Sequence, residues 1–327
     1  MIQSKFRRQA IIASSMMLAL GASSLVSAQT SNFPNKPIKI IVPFGAGSGA
    51  DTYARYFGKK ISEILGQPVI VENKPGAGGA IAVNILKTEP ADGYTMLMGS
   101  NSPLAANVVT VKNLPYDPVK DLRPVSGITK SMAVFAVNKD SPVKTVADLE
   151  KRGKESKPMN IGIYSTGYQL AGAQFTSKAK SNVQNIVYKG SGQTVTDLIG
   201  GQIDLAVIDS TGSVNMHNGG KYRIVAVTGD KRHPNMPNVP TLKESGYPEV
   251  VHYSWTAFWV NSKTPDNVTK VLADAMKKAL ADPESQAFIT KTDAEVMALG
   301  PDELRKFQLQ DIERYKKAAK DSGFQPQ

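Results

Sequence analysis

Short β-branched runs that end in glycine-rich turns and continue as helical patterns recur along this chain, and that recurrence admits few folds. The first unit is the plainest. Ile38 to Val42 reads as a buried strand, Gly45-Ala46-Gly47-Ser48-Gly49-Ala50 as a turn, and residues 51–65 as a helix closed by Gly66. Residues 69–72 form a second strand-like run, "NKPGAGGAIAVNILKTEPADG" a glycine turn leading into a helix, and residues 94–100 a third strand. Residues 122–129 and 132–138 read as two more. The pattern then restarts, with runs at 159–167, 185–190, 203–209 and 223–229 separated by the helical stretches "YQLAGAQFTSKA" and "QTVTDLIGG". Alternation of this kind predicts an α/β fold with parallel strands and crossover helices. Two units of similar layout predict two lobes. A late strand-like run at 254–260 precedes a mostly helical C-terminal part, in which Thr264 and Pro265 read as a helix start. The chain is therefore expected to cross between the lobes more than once. Ligands of open α/β sheets lie beyond the carboxyl ends of the strands, so the glycine turns of both lobes are expected to line one cleft.

The N-terminus carries a different signal. Lys5, Arg7 and Arg8 precede the apolar stretch "AIIASSMMLALGASSLV", and Val26-Ser27-Ala28 follows as a small-residue cleavage site. This reads as a secretory signal peptide over residues 1–28, because the apolar core is short and broken by serines. No later segment is apolar enough to span a bilayer, and a soluble exported chain is expected. With no cysteine, the chain has no disulfide, no thiolate metal site and no Cys nucleophile. Its 39 Lys and Arg against 28 Asp and Glu give +11, of which the three basic residues of the leader account for +3. The remaining lysines are scattered and form no basic run interleaved with aromatics. Nucleic-acid binding is not expected, and a mild bias toward anionic ligands is what the charge supports.

The turn at 45–50 has the G-x-G-x-x-A spacing of a dinucleotide-binding loop, with Glu72 where a ribose-binding acid would stand. Two features argue against a nucleotide. The chain reads as exported, and Asp51 in the first helical turn would compete with a pyrophosphate for the same amides and dipole. The same backbone suits a smaller anion, since a helix N-terminus offers unpaired N–H groups and glycines allow close approach. The glycines can equally serve only to shape tight turns, and Asp51 with Arg55 forms an i,i+4 pair at a helix start. Ser141-Pro142-Val143-Lys144 matches S-x-x-K without the companion elements of a penicillin-recognising site. His217, His233 and His252 have no metal-ligand spacing. Neither a catalytic set, a cofactor nor a metal is expected.

The blocks "IKIIVPFGAGSGADTYAR", "VIVENKPGAGGAIAVNILKTEPADGYTMLMG", "YKGSGQTVTDLIGGQIDLAVID" and "VPTLKESGYPEV" resemble the periplasmic solute receptors of tripartite tricarboxylate transporters, the Bug-type receptors. The resemblance covers essentially the whole chain after the leader. It implies a two-lobed periplasmic binding protein of the type II crossover class, with residues 29–130 and 250–327 in one lobe and 131–249 in the other. It also implies a small carboxylic acid held between the lobes and delivered to the membrane subunits of a transporter, by a non-enzymatic and monomeric receptor. The matching ligand-binding positions are Phe44, Gly45, Ala46, Gly47 and Ser48 in the first lobe, with Asn101 after the third strand. In the second lobe they are Ser165, Thr166, Gly167, Lys189, Gly190 and Asp209. Trp255 matches a segment that carries an aromatic toward the cleft, although a core position is the other reading. Two departures bear on the ligand: the first loop is Gly47-Ser48-Gly49 in place of a double glycine, and the second-lobe loop is short, with Tyr168 and Gln169 where the family carries a glycine and a histidine. Tyr168 is read as stacking on an aromatic acid or narrowing the pocket for an aliphatic one. A ligand-responsive sensor that presents its closed form to a membrane histidine kinase shares the fold and ligand chemistry, and the sequence does not separate the two.

Overall fold

The computed structural model describes residues 33–326; the signal peptide and its cleavage site at Ala28 lie outside them. From Lys36 onward the chain forms one compact unit. Its elements run β1 (Ile38–Val42), α1 (Gly49–Leu65), β2 (Val69–Asn73), α2 (Ala80–Thr88), β3 (Thr95–Ser100), α3 (Asn107–Thr110) and the long β4 (Leu122–Asn138). After these come α4 (Val146–Gly153), β5 (Met159–Ile163), α5 (Thr166–Ala179), β6 (Val183–Val187), α6 (Ser191–Ile199), β7 (Leu205–Asp209), α7 (Ser213–Asn218) and β8 (Tyr222–Val227). The chain ends with β9 (Tyr253–Asn261), α8 (Asp266–Ala281), α9 (Pro283–Lys291), β10 (Glu295–Val296) and α10 (Pro301–Ser322).

The strand runs pair as their sequence suggests. β1 lies between β2 and β3 and is parallel to both, as β5 is to β6 and β7. The sheet order is β2-β1-β3-β9-β4-β7-β5-β6, with β8 and β10 also on β4. Its middle differs from the expected parallel arrangement: β9 is antiparallel to β3 and β4, and β4 is antiparallel to β7 and β8. Residues 122–129 and 132–138, read from sequence as two strands, are one strand of 17 residues. Lys130 and Ser131 suggest a turn, but they keep pairing with Trp255 and Ser254 of β9. Register shifts between Pro124 and Ser126 and between Gly127 and Thr129 relieve the strand's length by bending it. Up to Met132 the strand serves β9, and from Ala133 it serves β7 and β8. The two groups of parallel strands are thereby joined through β4.

The helices close the sheet by ordinary amphipathic packing. α1 buries Tyr53, Ala54, Phe57 and Ile61, one stripe at i, i+1, i+4 and i+8. It ends where Gly66 takes a left-handed φ of 69° and its amide bonds the Ser62 carbonyl. α10 lies on β4 and also meets α5 and a widened helical turn at Ser102–Ala106. Under it Trp255, Trp259, Leu304, Ile312 and Tyr315 share a core with Leu170 of α5.

Candidate functional site

Four strands deliver their carboxyl ends to one place. β1 leads to Phe44 and the α1 start, β3 to Ser100 and Asn101, β5 to Tyr164 and Ser165, and β7 to Asp209 and Thr211. Together with Tyr53, Ser131, Tyr168, Ser254 and Thr256 these residues line a small polar cavity. Its free volume is about 20 Å³, room for about one water. A second cavity of about 170 Å³ adjoins it through Phe44, Tyr164 and Ser165. Pro43, the Gly76–Gly79 turn, Ile163, Thr166, Gln169, Val187, Tyr188 and Lys189 complete its wall.

Asp209 is the charged group of the small cavity and is 5% exposed. The Tyr164 hydroxyl donates to its Oδ2. Burial pushes the Asp209 carboxyl above the usual carboxylate range, against the donors Tyr164 and Thr211. Burial also raises the Tyr164 and Tyr168 hydroxyls well above the ordinary tyrosine value, and the Asp209 charge adds to it. Tyr164 sits edge-on to Phe44 at 5.8 Å and to Tyr168 at 5.1 Å between ring centres. Tyr168 meets His252 at 5.9 Å, and His252 meets Tyr315 of α10 at 5.9 Å. An aromatic row therefore runs from the cavity to the C-terminal helix.

The glycine loop after β1 does more internal bonding than the sequence suggests. The Gly45 amide donates to the Lys189 carbonyl at 2.9 Å, the Gly47 amide to Asp51 Oδ2 at 3.0 Å, and the Ser48 amide to the Gly45 carbonyl at 3.3 Å. Ser48 Oγ caps α1 by accepting from the Asp51 amide. The first amides of a helix have no intrahelical acceptor. Gly49 and Ala50, which precede the first such bond from Thr52 to Ser48, face the cavity together with Ser48.

Of the residues expected at a ligand, the structure gathers Phe44, Ser48, Asn101, Ser165, Tyr168 and Asp209 around the small cavity, and Thr166 and Lys189 at the larger one. Thr166 and Asn101 are already bonded within the protein: Thr166 donates to Asn107, and the Asn101 amide spans Tyr315 and Ser254. Gly45 and Gly190 stand off the cavities and meet each other backbone to backbone. Ala46 and Gly47 face outward. Gly167 is a packing position, since a Cβ there would lie 2.4 Å from Asn101 Nδ2. Trp255 does not reach the cleft. It is 0% exposed, its Nε1 donates to Asp311 at 2.7 Å, and its ring lies edge-on to Phe307. β9 alternates its faces, and Trp255 falls on the one that α10 covers, whereas its neighbours Ser254 and Thr256 point to the cavity. Sequence reasoning missed Tyr164, Thr211, Ser131, Ser254 and Thr256. The signal available was position: each lies within two residues of a strand's end or alternates with a core residue on one.

Comparison with known proteins gives the family and the fold. Residues 53–324 match the receptor family of tripartite tricarboxylate transporters. The protein BugT of Bordetella pertussis is 33% identical over 312 residues, which are 93% of this chain and 94% of BugT. The Rhodopseudomonas palustris protein Rpa4515, solved with adipate, superposes with a TM-score of 0.86 at 28% identity, over 90% of this chain and all of that one. MatC of the same organism, solved with bound malate, gives 0.84 at 25% identity, over 88% and 99% of the two chains.

Proposed function

The chain belongs to the receptor family of tripartite tricarboxylate transporters, and from that premise we propose that it is a periplasmic receptor that binds a small carboxylate and delivers it to the membrane subunits of such a transporter. The observation that carries this reading is the polar cavity where four strand ends and the first turn of α1 converge. Hydroxyls and helix amides are suited to a carboxylate oxygen. Related receptors were solved with adipate and with malate, which puts small acids first among the compounds to test. The receptor lobes are residues 29–130 with 250–327, and residues 131–249. The joints between them are Ser131–Ala133 in β4 and the segment that returns to β9 at Tyr253. The reading is of a binder without catalysis. Among the described residues no group of three His, Cys, Asp or Glu could hold a metal ion.

A thermal-shift screen of small carboxylic acids against the exported protein tests the proposal. A ligand at 100 times its Kd is expected to stabilise the fold by about 2.7 kcal/mol. If no acid shifts the transition while unrelated solutes do, the carboxylate reading is wrong. Export itself would leave Gln29 as the first residue, which the intact mass of periplasmic protein reads directly.

A further inference from the structure

We infer that the link between α9 and β10, Thr292-Asp293, is a brace across the hinge: Asp293 ties the first lobe to the second and favours the closed arrangement without lining either cavity of the cleft. The inference rests on the two-lobe reading above and adds a part to it.

Asp293 stands where α9 ends. Its amide bonds the Thr290 carbonyl at 3.1 Å, the Ala294 amide bonds the Ile289 carbonyl at 3.3 Å, and Asp293 itself holds φ at +65°. Glycine is the usual residue at a left-handed helix end, and for α9 alone it would serve better. An aspartate adds backbone strain and a carboxylate that is taken out of water, since the residue is 5% exposed and its Oδ2 has no hydrogen-bond partner among the described residues. Burial pushes the carboxyl above the usual carboxylate range, although Asn235, His233 and the Gly212 and Val214 amides work the other way. Strain and burial of this kind persist only where the surrounding structure over-determines them. What surrounds Asp293 is the second lobe. Asn235 Nδ2 donates to its Oδ1 at 3.0 Å, and its carbonyl accepts from Ser210 Oγ at 3.0 Å and from His233 Nε2 at 3.1 Å. The Asn235 amide donates to His233 Nδ1 at 3.2 Å, which leaves Nε2 as the donor. On the other side the link is fixed to the first lobe. The hydroxyls of Thr292 and Tyr53 are 2.8 Å apart, and β10 pairs Glu295 with Lys130, the last residue before the joint at Ser131–Ala133. The link is thus bonded on both sides of the joint, in the arrangement in which the two glycine loops meet. A cavity of about 300 Å³ beside it, lined by Lys130, Ser131, His233, Asn235 and Asp293, leaves the hydrogen bonds rather than close packing to hold it. Rotation at the joint moves Ser210, His233 and Asn235 against Tyr53 and Lys130, so these bonds favour the arrangement that makes them.

The test needs no ligand. The chain has no cysteine, so Lys59→Cys on α1 and Lys151→Cys on α4, both exposed, place one spin label on each lobe, and pulsed electron resonance reads the distance between them. Gly190→Val serves as the reference for parted lobes, because a Cβ there would lie 3.2 Å from Gly45 Cα. Asp293→Gly, which suits the left-handed backbone and removes only the carboxylate, is expected to populate the distance that Gly190→Val gives. The ratio of the closed to the parted population should fall roughly 3- to 10-fold, the range of one hydrogen bond net of solvation. Asn235→Ala removes the partner instead and should do the same, and the two changes together should add little to either alone. If Asp293→Gly fails to fold, Asn235→Ala decides, since Asn235 is exposed. The inference is overturned if either variant folds and keeps the wild-type distances while Gly190→Val shifts them, and the two-lobe reading then stands. If Gly190→Val also keeps the wild-type distance, closure at the glycine loops and the brace both fall.

Discussion

Gly47 holds φ at +80°, and a Cβ at this position would meet no atom within 4 Å. The sequence suggests that the loop glycines make room for a ligand. For Gly47 the requirement is instead the left-handed backbone, which a β-branched residue adopts only under strain. Gly47→Val is therefore expected to lower stability by about 1–3 kcal/mol in urea unfolding and to leave ligand affinity unchanged. Loss of binding in a folded variant would return Gly47 to the site. His252 carries a second residue-scale consequence. It is 2% exposed, its Nε2 has no partner among the described residues, and burial beside Tyr168 and Tyr315, helped by the Arg314 charge, lowers its pKa to about 3. The folded protein keeps this ring neutral where the unfolded chain, near the ordinary 6.5, takes up a proton. Stability from His252 is then complete above pH 6.5 and drains away as pH falls toward 3. At pH 4.5 the loss should be about 2–3 kcal/mol, and His252→Phe should remove most of it. Urea unfolding of both proteins at pH 7 and pH 4.5 measures the difference. Equal acid losses in the two would place the sensitivity elsewhere.

At the scale of elements, the start of α1 is held by Asp51 as much as by its cap. The Asp51 carboxylate accepts from the Gly47 amide at 3.0 Å and from Asn73 Nδ2 at 2.9 Å, and it pairs with Arg55 at 2.9 Å. Burial works to raise its pKa, but the Arg55, Gly47 and Asn73 donors overcome it and hold the carboxyl below the ordinary value of 3.8. Asp51→Ala should cost about 2–3 kcal/mol at pH 7. Because the folded pKa is depressed, wild type's advantage should shrink as pH falls below 3.8, which chemical unfolding at pH 7 and pH 3 would reveal. Asp51 also shows what the sequence could convey at this scale. Its structural pairing with Arg55 was legible from an i,i+4 spacing, because both partners lie on one helix. The strand–turn–helix units were legible for the same reason: apolar period, glycine turns and caps are local. β4 was not, since Lys130-Ser131 resembles a turn and only pairing with distant β9 keeps the strand extended. For Trp255 the sequence left cleft and core as alternatives, because residue type gives no information about which face of β9 the C-terminal helix covers. Tyr164 was passed over because its partner Asp209 is 45 residues away.

At the scale of the whole molecule, the glycine loop after β1 meets the one before α6. The Gly45 amide bonds the Lys189 carbonyl at 2.9 Å, and Ser191 Oγ donates to the Gly47 carbonyl at 3.0 Å. Thr166 at the start of α5 donates to Asn107 at the start of α3 at 2.6 Å. With these contacts made, the small cavity has about 20 Å³, less than any amino acid or diacid needs, and parting them would enlarge it. Opening at Ser131–Ala133 and near Tyr253 would part them without breaking a parallel pair, because among the described residues the two groups of parallel strands pair with each other only through the antiparallel β9 and β4. Gly190 is the position at which to test this. Its φ of −178° is extended and suits any residue, so a side chain there brings no backbone strain. A Cβ would, however, lie 3.2 Å from Gly45 Cα and 3.3 Å from Gly45 N, both backbone atoms that cannot swing aside. Gly190→Val should hold the two loops apart. Small-angle scattering of wild type is expected to show a smaller radius of gyration with saturating ligand than without, as hinge closure requires. The variant should keep the larger radius in both conditions, and its affinity should fall in proportion to the closed fraction lost, roughly tenfold for each 1.4 kcal/mol of obstruction. A variant that folds, contracts and binds like wild type would mean that these loops do not gate the cleft.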